Sequence, residues 1–122
     1  MQINPLFHNI VELASGSQDI TLDNEAYGYI NVSLSEKISN FKYIVVSFGD
    51  SHGSEKYTTT ISMFGADLDN SSYRFREPIF LSKFQAYGRI RRTGDSSIEI
   101  WLEHTSALTG TYPIHYRVYG FN

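Results

Sequence analysis

Residues 97–103 read Ser97-Ile98-Glu99-Ile100-Trp101-Leu102-Glu103. Ile98, Ile100 and Leu102 fall on one side of a two-residue period, and Glu99, Trp101 and Glu103 fall on the other. Side chains alternate across a β-strand, so this stretch is a strand with an apolar face and a mixed outer face. The same rhythm recurs upstream. Ile30, Val32 and Leu34 oppose Tyr29, Asn31 and Ser33, and the apolar run Phe41 to Phe48 suits a central strand. Downstream, Ile114, Tyr116 and Val118 oppose His115, Arg117, Tyr119 and Phe121.

Turn-forming clusters separate these runs every eight to twelve residues, the spacing of a sandwich or barrel. Ser15-Gly16-Ser17, Asp23-Asn24-Glu25, Gly49 to Ser54, Gly65 to Ser72, Thr93-Gly94-Asp95 and Gly110 serve as punctuation. Strands are predicted at 6–14, 20–22, 27–34, 41–48, 56–64, 73–75, 98–103 and 113–121, with 79–81 and 84–91 continuing the pattern between 73–75 and 98–103. Glu77-Pro78 confines its neighbourhood to a strand start or a sheet edge, because proline cannot donate to a ladder. No segment holds a helical period over three turns, although Leu34 to Asn40 leaves room for one short helical turn. The expected fold is all-β: a single antiparallel, jelly-roll-like β-sandwich domain over residues 1–122, with about nine short strands.

Composition agrees. In 122 residues, 41% are apolar and 15% aromatic, with nine Tyr, eight Phe and one Trp. Aromatic side chains suit half-buried pleated surfaces, and the length matches one domain. A net charge of -3 carries no general nucleic-acid or anionic-membrane footprint. The absence of cysteine excludes disulfides and thiolate zinc sites. No stretch approaches the roughly 20 apolar residues that cross a bilayer as a helix, so no membrane insertion is expected. Met1-Gln2-Ile3-Asn4-Pro5 lacks the charged and apolar regions of a signal peptide. If the protein reaches the outside of a cell, lysis or a larger particle is the expected route.

Several motifs carry possible chemistry. Phe48-Gly49-Asp50-Ser51 follows an apolar strand and resembles the first block of GDSL-type hydrolases, with Ser51 as nucleophile. The chain offers neither the following helix nor a C-terminal Asp-x-x-His pair, and Gly, Asp and Ser are ordinary turn residues. The turn reading is preferred and no enzymatic activity is expected. Asp67-Leu68-Asp69-Asn70-Ser71 alternates oxygen ligands as a calcium loop would, but Ser72 stands where that loop needs Gly and Pro78 where it needs Glu. A solvated hairpin tip fits better. His8, His52, His104 and His115 are not paired at metal-ligand spacing. No metal and no cofactor are expected. The sequons at Asn31 and Asn70 carry little weight.

The surface residues are more informative. Trp101 is directed away from the Ile98, Ile100 and Leu102 face, which suits an interface or a sugar-stacking platform. The last strand is apolar or aromatic on both faces, as expected where a partner covers the outside. Arg74 shares a face with Arg76, and Arg89 with Arg91, either as a groove for an acidic or sugar ligand or as solvated and seam residues. The candidate ligand contacts are Trp101, Tyr119, Arg117 and His115, and secondarily Arg89 and Arg91.

Taken together, the segments Val11-Glu12-Leu13-Ala14-Ser15-Gly16-Ser17, Ile20-Thr21-Leu22, Leu34-Ser35-Glu36-Lys37-Ile38-Ser39-Asn40-Phe41 and Val118-Tyr119-Gly120-Phe121 follow one order and spacing. In that order they resemble a C-terminal domain of bacteriophage tail fibres, tail spikes and related receptor-binding proteins. The resemblance implies a β-sandwich on a virion tail, commonly a homotrimer, which contacts other tail proteins and attaches to a host cell-surface glycan or protein. A purely structural role in tail decoration or assembly is the alternative expectation. The resemblance carries no defined set of binding residues.

Overall fold

The computed structural model describes residues 10–50, 56–68, 74–79 and 86–122, with the strand path alone for 74–79 and Ala86. Six strands form one antiparallel sheet: β1 (Ile10–Ser33), β2 (Tyr43–Gly49), β3 (Thr59–Phe64), β4 (Arg74–Ile79), β5 (Ala86–Gly94) and β6 (Ser97–Phe121). Their order is β3-β2-β6-β5-β4, with β1 along the other side of β6. The long β6 therefore organises the molecule. Its first half runs between β1 and β5, and its second half runs between β1 and β2.

Two strands of 24 and 25 residues are too long for a flat sheet of this size. They fold back instead. The Ser35 N–H donates to the Leu13 carbonyl at 2.9 Å, whereas an extended chain of that length would hold them ~70 Å apart. Gln18 Nε2 likewise donates to the Asn31 carbonyl from the opposite arm of β1. The crook lies at residues 23–27. Register shifts separate Asp23 from Glu25 and Glu25 from Tyr27, and Asn24 takes a left-handed φ of 55°, which Asn tolerates well. On β6, Glu103 pairs with Tyr27 but Leu108 with Glu25, so His104 to Ala107 bulge out at the same corner.

Folding the sheet over encloses a single core. Ile30, Ile100 and Ile90 lie side by side across β1, β6 and β5, each at most 2% exposed. In the other arm Ile61, Val46 and Val118 form the matching row across β3, β2 and β6. All belong to one cluster of buried side chains. Gly28 permits the close approach of the two arms of β1. A Cβ there would stand 2.5 Å from Ile20 Cγ2. A 3₁₀ turn at Ile38–Asn40 fills the short helical turn expected between Leu34 and Asn40. Pro78 sits on β4, which ends the order of the sheet, consistent with its missing donor.

The chain is thus mostly antiparallel β, as expected, but about nine short strands is incorrect for the described residues. The segments 6–14, 20–22 and 27–34 were expected as three strands, yet their described part is continuous β1. Ser15, Gly16 and Ser17 stay paired with Arg117, Tyr116 and His115, and Asp23-Asn24-Glu25 forms a bulged crook. Among the described strands β1 pairs only with β6, so polar residues are tolerated on its other edge without ending the ladder. Gly110 does not start a new strand either, since β6 passes through it opposite Leu22. No helix among the described residues is long and apolar enough to cross a membrane.

Candidate functional site

The six candidate contacts separate onto two outer faces. Trp101, Arg89 and Arg91 lie together on the face built by β1, β6 and β5. Tyr119, Arg117 and His115 lie on the face built by β1, β6 and β2. Fold-back of the sheet directs these faces away from the common core, so the six do not form one site.

On the first face, alternation and register place side chains in cross-strand rows. Tyr29, Trp101 and Arg89 make one row; Asn31, Glu99 and Arg91 make the next; Tyr27, Glu103 and Tyr87 flank them. The Tyr27 ring stacks on the Trp101 indole at 4.5 Å between centroids and 14° between planes. Tyr29 runs parallel to the indole at 6.4 Å and 4°. Such pairs contribute about 0.5–1.5 kcal/mol beyond their burial. The Trp101 N–H donates to Glu103 Oε1 at 2.7 Å, which fixes the indole's tilt.

The arginines of β5 are each paired with a carboxylate. Arg91 Nη2 donates to Glu99 Oε2 at 2.7 Å, and Glu99 is buried. Arg89 Nε stands 3.1 Å from Glu103 Oε1, close enough to form an ion pair but without hydrogen-bond alignment. Arg92 reaches Asp95 Oδ1 at 2.9 Å across the β5–β6 turn. The more accessible pairs of Arg89 and Arg92 contribute no more than about 1 kcal/mol each; the larger effect of all three is to neutralise the arginines.

Beside this face, between the two arms of β1, lies a groove in the crook of that strand. It is lined by Asp19, Ile20, Thr21, Leu22, Glu25, Tyr27, Gly28 and Tyr29. Ile20 and Leu22 are buried in its floor, while Tyr27 and Tyr29 are each 50% exposed. Asp19, Thr21 and Glu25 are also exposed. Glu25 Oε1 accepts the Asp23 N–H at 3.1 Å, and Thr21 Oγ1 shares a hydrogen bond with Thr111 Oγ1, also at 3.1 Å. Glu25 and Thr21 are therefore held in place on the rim of the crook.

No family model matches the sequence, and no curated protein matches it. The chemistry must be read from the two faces themselves. The first offers open aromatic rings beside a groove rimmed by carboxylates and a hydroxyl. Rings of this kind can pack against C–H groups, and the rim groups can hydrogen-bond to hydroxyls.

The second face is different in kind. The Arg117 guanidinium lies 4.1 Å from the Tyr57 ring centroid and 6.0 Å from that of Tyr119, so its charge is already engaged by aromatic faces. His115 sits between Ser17 and Gly49 in register. Further along, Ile10, Phe121, Tyr43 and Phe64 form an apolar row across four strands. Ile10 is 61% exposed and Phe64 55%.

Tyr27 and Tyr29, which carry most of the open aromatic surface beside Trp101, were absent from the sequence candidates. The alternation sets Tyr29 on the face opposite Ile30, Val32 and Leu34, but the pairing of β1 with β6 that sets both rings against Trp101 joins positions far apart in the chain. Ser51, His52, His8 and Asp69 lie outside the described residues. Asp67 ends a short 3₁₀ turn and is exposed. For Arg74 and Arg76 only the path of β4 is described.

Proposed function

We propose that this protein is a receptor-binding module of a bacteriophage tail, non-enzymatic, that attaches to a glycan on the host cell surface through the crook of β1. The observation that carries this reading is the open groove flanked by the half-exposed rings of Tyr27 and Tyr29, with Trp101 stacked behind them. A sugar ring has one face of C–H bonds and an edge of hydroxyls. The first packs on an aromatic ring, and the second hydrogen-bonds to carboxylates and hydroxyls fixed at the rim. The order of motifs shared with tail-fibre domains supports the phage assignment, and the folded-over sheet is compatible with a jelly-roll-like sandwich.

In this reading the second face serves assembly. The apolar row Ile10, Phe121, Tyr43 and Phe64 is suited to contact with identical chains in a homotrimer or with other tail proteins. That same row favours the alternative reading, a purely structural tail decoration domain with no ligand.

Binding of the isolated protein to an array of bacterial surface polysaccharides separates the two. The receptor reading expects binding that Tyr29→Ala weakens at least tenfold with the fold intact, since losing a central aromatic contact costs more than about 1.4 kcal/mol. A clean negative across the array would favour the structural role.

A further inference from the structure

We infer that the groove in the crook of β1 prefers neutral hexose units over acidic sugars, an inference that rests on the glycan-binding reading of the same site. The groove's lining includes two carboxylates, Asp19 and Glu25, and no Lys, Arg or His. Among the described residues, the two arginines in the adjoining rows are already engaged, Arg91 by Glu99 and Arg89 by Glu103. A uronate or sialic acid carboxylate laid against Tyr27 and Tyr29 would therefore meet two like charges without a counter-ion. A neutral hexose meets the opposite situation. Ionised carboxylates only accept hydrogen bonds, and sugar hydroxyls donate them. Thr21 adds a hydroxyl at the same rim.

The size of the discrimination follows from Coulomb's law. A like charge about 6 Å away in water weakens binding roughly threefold, and two such charges weaken it roughly tenfold. Added salt must shrink the effect, since exposed charges are screened.

The test titrates the protein with a neutral β-galacto-oligosaccharide and with an oligogalacturonate of equal length, at low and at high salt. It is repeated on the double variant Asp19→Asn/Glu25→Gln. Both side chains are exposed, and glutamine keeps an oxygen to accept the Asp23 N–H, so the fold should survive. The wild type should bind the neutral chain at least about tenfold more tightly than the uronate. High salt and the double variant should each close most of that gap. Uronate binding equal to or tighter than neutral binding would overturn the inference while leaving a glycan site in place. A gap that persists unchanged in the double variant would also overturn it. Binding of neither sugar would overturn both the inference and the glycan-binding reading beneath it.

Discussion

Replacing Ile100 with alanine is expected to remove about 2–5 kcal/mol of stability, the range for truncating a large side chain in a packed core. Ile100 is fully buried at the centre of β6, between Ile30 of β1 and Ile90 of β5. Those two neighbours are held in paired strands on either side, so they cannot close the space left by the missing carbons. A domain of this size is stable by only about 5–15 kcal/mol, which makes this a large fraction of the total. Urea unfolding should show a lower midpoint with an unchanged slope. Ile10→Ala, at a position 61% exposed, should change stability by no more than about 0.5 kcal/mol. Equal effects at the two positions would contradict the single enclosed core.

Gly28→Ala is expected to cost about 1–3 kcal/mol through overpacking. The new Cβ would lie 2.5 Å from Ile20 Cγ2 and 3.2 Å from Leu22 Cδ2. Ile20 is 3% exposed and β-branched, so it has little freedom to move away. The clash lies between the two arms of β1, so the substitution probes the fold-back directly. Combining it with Ile20→Ala removes the obstructing carbon. The pair should then be less damaging than the two changes added together, by about 0.5–3 kcal/mol. Strict additivity would mean that the arms do not touch.

Local pattern carried the strand content and the facing of each segment. The alternation in 97–103 put Ile98, Ile100 and Leu102 inside and Trp101 outside, where the structure has them. It did not reveal that β1 and β6 run on through their glycines and polar clusters. A Ser-Gly-Ser triplet has the same composition in a turn as on a strand bonded along one side only. Which of the two it is depends on β6, whose partner residues lie far along the chain. The site was legible only in fragments for the same reason. Trp101, Arg89 and Arg91 were singled out and do share a face, whereas Tyr119, Arg117 and His115 belong to the other arm. Tyr27 and Asp19 carry no individual signal. They meet because β1 bends at Asn24 and its neighbours, where a left-handed residue and two register shifts occur together.

The central claim is that the crook of β1 is a sugar-binding groove, and mapping amide shifts of isotope-labelled protein during titration with the neutral β-galacto-oligosaccharide tests it most directly. Sugar binding in the crook should give saturable shifts at Thr21, Glu25 and Tyr27 to Tyr29, together with the Trp101 indole N–H. Shifts confined to His115, Arg117 and Tyr119, or none at saturating sugar, would contradict it.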